Sequence, residues 1–393
     1  MKLQEYRLSR VTEAAKAVGA DVVVASLPAN IAYLTGGYHS IGPDVLCRSE
    51  AYVAFSPAGQ KLVYVMGTAE IPSVLEHDPD AEIYCFGGFG FFAAEGDAFG
   101  EKVLKIREGR YPGANEALAA AIDALGGGTV ALDESRVNFD AFAGLSALLP
   151  GKKLIPATGL FMEARKVKHP DEIEGVRRSS VAAEQCLAYA LEGFKPGMTE
   201  LDLEKRYREA AGRMDAVPYF FVATIGLRAA FSDTINTPLA AKPGDMIRFD
   251  FGVILDGYCS DLARTASVGE PTEKVRAYYE AVKAGTETAI AAIKPGIAAE
   301  EVFRIAEETT IKSGIPHYKR HHCGHGCGLE TYDLYSIAPG VKDTLEENMV
   351  YCIETPYYEL GWGGVQIEDT IAVTKDGARY LDEGSRELIV LPL

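Results

Sequence analysis

The chain has 393 residues, and its 39 Lys and Arg against 56 Asp and Glu leave a formal charge of −17. An acidic surplus of this size excludes nucleic acid and anionic membrane surfaces as partners, because both require clustered basic side chains. The composition, 48% hydrophobic and 24% charged, is that of a soluble enzyme with material for two or three domains. Seven cysteines without framework spacing predict free thiols and a reducing compartment. The N-terminus MKLQEYRLSRVTEAAKAVGA is a charged amphipathic pattern without the apolar core of a secretory signal, and no apolar run approaches the roughly 20 residues of a membrane helix. A cytoplasmic location is the expectation.

In chain order, helical spacing up to Gly19 is followed by the buried-strand run DVVVAS and by ANIAYLTGGYHS, a short helix closed by glycines. AYVAFSP, KLVYVMG and TVALDES read as further strands, with a helix in NEALAAAIDALGGG. The glycines of CFGGFGFF and ALGGGTVA lack the spacing of a phosphate loop and read as turns. These pieces predict an α/β domain over residues 1–155. A linker over 156–170 leads to Pro170, which opens a helix whose first turn carries Asp171, Glu172 and Glu174, favourable to the helix dipole. From 171 to 393 the pattern predicts helices at 171–193, 199–213, 272–293 and 298–313, interleaved with strands.

The most informative stretch is GDMIRFDFGVILDGYCSDLARTASVG, residues 244–269. Two strand-like runs flank Asp256-Gly257, a favoured two-residue type I′ loop. That loop pairs Leu255 with Tyr258 and Asp250 with Ala263, which puts Asp261 diagonally on the same face as Asp250, about 7–8 Å away. Two carboxylates on one face of an apolar sheet repel each other, and burying both requires a cation. ENMVYCIETPYYELGWGGVQIEDTIAVT, residues 347–374, repeats the plan with Glu354 and Glu368. Two such hairpins imply a pseudo-symmetric site.

Four of the seven histidines (His317, His321, His322, His325) fall in HYKRHHCGHGCGLETYD between the hairpins. His325 is flanked by Gly324 and Gly326, which let the backbone approach a crowded sheet closely. Cys323 and Cys327 have no matching second pair, which argues against a structural zinc site. Four carboxylates and one imidazole form an oxygen-rich set for two divalent ions, best suited to Mn²⁺, Fe²⁺ or Co²⁺, with Zn²⁺ also accepted.

The ordered set Asp250, Asp261, His325, Glu354 and Glu368, in FDFG, CSDLART, GHGCGLE, IETPYY and QIEDT, resembles the five metal ligands of the pita-bread metallohydrolases, the superfamily of creatinase, prolidase and Xaa-Pro aminopeptidase. ADVVVASLPANIAYLTGGYHS resembles the creatinase/prolidase N-terminal domain, and MEARKVKHPDEIEGVRRS its lead into the catalytic domain. The resemblance implies an α+β fold: a C-terminal pita-bread domain of pseudo-symmetric αββ halves, preceded by a smaller α/β domain. It implies that Asp250 binds one ion and His325 and Glu354 the other, with Asp261 and Glu368 bridging. A metal-bridging hydroxide would be the nucleophile and Glu354 the proton shuttle. It further implies a homodimer acting on a dipeptide or other small molecule.

The sequence departs from that pattern outside the ligands. Asp233, seven residues after Gly226 in the loop IGLRAAFSDT, stands where the resemblance implies a His, Tyr332 where a second His is usual, and Gln366 where an Arg is common. His321 and His322 are candidate replacements as acid, Tyr332 a candidate hydrogen-bond donor, and Arg228, Asp233, Gln366 and Tyr357 candidate substrate-binding residues. The leading expectation is a metal-dependent hydrolase of a small C–N bond, Xaa-Pro dipeptidase-like. The departures keep a second one open: a creatinase-like or ectoine-hydrolase-like amidinohydrolase, or a lyase. A non-catalytic binding protein is the third, disfavoured by the complete ligand set.

Overall fold

A computed structural model describes residues 1–40, 50–333 and 335–393, which divide into two compact units, Met1–Arg165 and Lys166–Leu393. Residues 156–170, expected as a linker, contain the helix Thr158–Arg165. Its buried Leu160, Phe161 and Ala164 supply an apolar face, so this stretch packs as part of the first unit.

The first unit is built on a six-stranded sheet. Its strands are β1 (Val22–Ala25), β2 (Tyr52–Ser56), β3 (Lys61–Gly67), β4 (Ile83–Phe86), β5 (Thr129–Leu132) and β6 (Lys153–Pro156), in the order β4-β3-β2-β1-β5-β6. β1, β5 and β6 run parallel, and so do β3 and β4, while β2 is antiparallel to both neighbours. Such a mixed sheet needs helical crossovers, and the Ala-rich helix Ala114–Leu125 supplies one, burying Ala117, Leu118, Ala121 and Ile122 against the sheet residues Val22, Val63 and Val130.

The second unit carries β7 (Val217–Ile225), β8 (Met246–Leu255), β9 (Tyr258–Cys259), β10 (Leu262–Val268), β11 (Gly324–Gly326), β12 (Val350–Glu354), β13 (Tyr357–Glu359), β14 (Gly363–Val365), β15 (Glu368–Thr374), β16 (Gly377–Tyr380) and β17 (Ile389–Leu391). The main path of its large sheet is β11-β12-β15-β10-β8-β7. This order is a mirrored triplet: β7, β8 and β10 follow the helices Pro170–Leu191 and Glu200–Arg213, and β11, β12 and β15 follow Glu273–Ala292 and Ala299–Lys312. The halves meet where β10 pairs with β15. The fold is α+β, with two α-helical pairs backing one large sheet.

Between β8 and β9 the loop is Asp256-Gly257, with both residues at positive φ (51° and 82°), the geometry of a type I′ turn. The pairings Leu255–Tyr258 and Ala263–Asp250 follow from it. A Cβ at Gly257 would meet no atom within 4 Å, so the cost of a side chain there is purely conformational. Gly257→Ala is therefore expected to lower unfolding stability by about 1 kcal/mol without disturbing packing, as read from denaturant melts.

Candidate metal centre

The sheet register explains how residues far apart in sequence converge. Side chains point to one face at every second position. Glu354 pairs with Glu368 across β12 and β15, Glu368 with Ala263 across β15 and β10, and Ala263 with Asp250 across β10 and β8. One row of the face is thus Glu354, Glu368, Ala263, Asp250. Two residues along lies a second row: His325 pairs with Cys352, Cys352 with Thr370, and the Thr370 hydroxyl donates to the Asp261 carbonyl oxygen (3.0 Å). The two hairpins are therefore not exact copies. Glu354 and Glu368 are directly opposed, whereas Asp250 and Asp261 stand in different rows.

Asp261, His325 and Glu368 are buried, and among the described residues they are the group whose candidate ligand atoms all lie within 4.8 Å of one another. His325 Nε2 is 3.6 Å from Asp261 Oδ2 and 3.8 Å from Glu368 Oε1. The His325 Nδ1–H donates to the Thr331 carbonyl oxygen (2.7 Å), which leaves the Nε2 lone pair facing the carboxylates. Gly324 makes this approach possible: a Cβ there would lie 2.3 Å from the Cys352 carbonyl oxygen.

The site is charged beyond what the protein alone neutralises. Burial, then repulsion from Asp250, pushes the Asp261 carboxyl well above the ordinary range; burial, then repulsion from Asp261, does the same for Glu368. Asp250 is raised by burial, against the opposing pull of Arg248. Glu368 Oε1 is buried and accepts no hydrogen bond. Oxygen and imidazole nitrogen atoms about 2.1 Å from a common ion stand about 3.0–3.4 Å apart, and the spacings of 3.6 and 3.8 Å bring the three groups to within a few tenths of an ångström of that arrangement. The donor set fits a divalent cation too.

Arg248 and Tyr358, which sequence reasoning missed, and Gln366, expected to bind substrate, surround these ligands. Arg248, fully buried, donates from Nη1 to Asp250 (3.1 Å) and to Gln366 Oε1 (2.7 Å), and from Nη2 to the carbonyl oxygens of Phe231 and Ser232. Its signal was present: a charged residue two positions before Asp250 in an apolar strand falls on the ligand face. Gln366 Nε2 in turn donates to Asp250, Glu354 and Glu368 at 3.3–3.4 Å. Tyr358 donates to Gln366 Oε1 (3.2 Å), and the guanidinium carbons of Arg248 and Arg320 lie 5.3 and 5.7 Å from the centre of its ring.

The other expected residues are placed as follows. The Tyr332 ring stacks on His325, centroids 4.0 Å apart, while most of the side chain remains exposed. His322 Nδ1 is 3.4 Å from Glu354 Oε1. Burial and the nearby Arg320 lower His322 to about 3, which makes it a neutral imidazole rather than an imidazolium acid near neutrality. His321 is exposed, its ring 4.3 Å from that of His322. Asp233 is exposed, next to the Ser232 carbonyl held by Arg248. Arg228 is spent on buried Glu200 and the Ile235 carbonyl, and the Tyr357 hydroxyl on His317 and Glu359; among the described residues neither hydrogen-bonds to the ligand cluster. Their side chains support the loop and an aromatic group containing Tyr278 and Trp362 instead.

Residues 174–375, which hold all five expected ligands, match metallopeptidase family M24. The chain belongs to metallopeptidase family M24. It is accordingly a metal-dependent hydrolase, and M24 enzymes use divalent ions. Residues 7–167 of this M24 chain match the creatinase/prolidase N-terminal domain. Among relatives, it is 31% identical over 279 residues to the Xaa-Pro dipeptidase of Lactobacillus helveticus, spanning 67% of this chain and 73% of that protein. It is 33% identical over 233 residues to the Xaa-Pro dipeptidase of Lactobacillus delbrueckii subsp. lactis, spanning 58% and 63%. Its fold is similar to that of a prolidase from Thermococcus sibiricus (TM-score 0.84, 25% identity, all of both chains) and a dipeptidase from Pyrococcus horikoshii (TM-score 0.80, 27% identity, 98% of this chain and all of the other). No helix among the described residues is long and apolar enough to cross a membrane.

Proposed function

We propose that this M24 enzyme is an Xaa-Pro dipeptidase-like peptidase acting with two divalent ions, manganese first among them. The observation that carries the reading is the buried Asp261, His325 and Glu368 cluster, with Asp250 and Glu354 in the adjoining row, in a chain similar over most of its length to Xaa-Pro dipeptidases. In this reading Asp250, Asp261, His325, Glu354 and Glu368 would hold the two ions. When bound, the ions supply Lewis acidity for the scissile carbonyl and lower the pKa of water.

The protein's own groups do the rest. Gln366 and Arg248 hold the carboxylates of the first row in place, so that no side chain reorganises during the reaction. Glu354, with Oε1 facing Arg320 and His322, takes the proton released by the nucleophile and returns it to the leaving nitrogen. Neutral His322 stands beside that carboxylate, and His321 is exposed next to it. Tyr332 covers His325 and bounds the site on that side. A homodimer, a cytoplasmic location, and catalysis by a domain over 171–393 belong to the same reading and rest on the family resemblance.

The test is hydrolysis of Xaa-Pro dipeptides by Mn²⁺- or Co²⁺-loaded protein, with metal content measured in parallel. Proline release is expected, and fully loaded but inactive protein would remove the peptidase reading. Asp233 and Tyr332, in place of histidines, favour the non-peptidase hydrolase or lyase as second reading; product analysis on guanidino compounds and cyclic amidines separates the two.

A further inference from the structure

The side chain of Arg320 is an anomaly in the second unit. It is mostly buried, yet among the described residues its guanidinium, with five N–H donors, makes no hydrogen bond to the protein. Its one carboxylate neighbour within 4 Å is Glu354, at 3.5 Å from Nη2. Arg248 differs, since its terminal nitrogens are all engaged. Arg320 is also not alone. Tyr318, two residues before it, has a buried hydroxyl without a partner, and His322, two residues after it, a buried Nδ1 without a hydrogen bond. Arg320 and His322 converge on the same oxygen of Glu354, and Tyr318 has Arg320, Glu354 and Tyr358 among its charged and polar neighbours. Three buried polar groups left open side by side are costly unless something else satisfies them.

Charge identifies the missing partner. Two divalent ions cancel the four carboxylates of the ligand set, which removes the counter-ion of Arg248 as well as that of Arg320; Arg248 keeps its hydrogen bonds to Gln366 and two carbonyl oxygens, and Arg320 keeps none. We propose that Tyr318, Arg320 and His322 form a carboxylate-binding recess beside Glu354, which selects small amide substrates bearing a free carboxylate. This deepens the proposed function and rests on it for the amide. A guanidinium suits the task because its planar fork matches a carboxylate in a bidentate pair.

The test is calorimetric binding to metal-loaded protein at constant ionic strength, using N-acetyl-L-proline against N-acetyl-L-prolinamide and N-acetylglycine against N-acetylglycinamide. The acid of each pair is expected to bind about tenfold tighter or more than its amide. Arg320→Met should reduce that ratio to about twofold or less at unchanged metal content, and Arg320→Lys should keep part of it. Three results overturn the recess: no preference in the unmodified protein, a preference intact in Arg320→Met, or a loss confined to variants that have also lost metal. Failure of the Xaa-Pro reading looks different, with the proline pair binding no tighter than the glycine pair while the acid preference persists in both.

Discussion

Glu368→Gln is expected to lower kcat/KM by about a thousandfold or more, with loss of bound metal measured by elemental analysis. Glu368 stands at the crossing of the site: it is paired with Glu354 in the first row, lies 3.8 Å from His325 Nε2 in the second, and presents a buried oxygen with no hydrogen-bond partner. The substitution keeps the shape but removes a charge that a cation requires, and the several kcal/mol of Lewis-acid stabilisation go with the metal, about 4 kcal/mol being a thousandfold. The same change has a second, opposite effect. With metal chelated, Glu368→Gln should unfold at a higher temperature than the parent, because burial and the neighbouring Asp261 and Glu354 destabilise the ionised Glu368 carboxylate. A variant that keeps full metal and activity would sink the assignment of Glu368 as a ligand.

Metal-free protein is expected to lose stability as pH rises, the reverse of ordinary acid denaturation. Asp250, Asp261 and Glu368 have carboxyl groups raised above their ordinary values of 3.8, 3.8 and 4.5 by burial and mutual repulsion. Between those values and the raised ones the folded state binds more protons than the unfolded chain. Stability is then greatest below the unfolded values and falls as pH rises through the folded ones, by up to about 1.4 kcal/mol per pH unit for each group. Bound metal reverses the trend, because it requires the deprotonated ligands. Asp382, which burial and Asp369 push up to about 8, titrates in the same window but away from the ligands, so it drops out of the difference between loaded and chelated protein. Denaturant melts from pH 5 to 8, with and without chelator, should show a stabilisation by metal that grows with pH. A constant difference would contradict it.

The fold was legible because its signals are local. The four long helices of the second unit, the one beginning at Pro170 among them, follow from apolar spacing and capping residues, and the Asp256-Gly257 loop sets the register of β8 against β10 through turn geometry alone. The end of the first domain was less legible, since the helix Thr158–Arg165 packs by contacts that its own eight residues do not announce. At the site, the carboxylates and His325 stood out as charged or polar groups on apolar strands. Arg228 and Tyr357 looked equally available, and only their partners Glu200, His317 and Glu359 show where their polar atoms are spent.

By itself the sequence determined the ligand inventory, the two-hairpin plan and the family resemblance, because strand alternation and a two-residue turn are set by residues adjacent in the chain. The tertiary structure alone decided which acids share a row, how Arg248 and Gln366 tie them together, and that the Arg320 guanidinium faces Glu354 without a hydrogen bond. Those facts depend on the pairing of β10 with β15 and on the path from Tyr318 to His322, where side chains meet across more than a hundred residues of chain or stand near neighbours that no local pattern encodes.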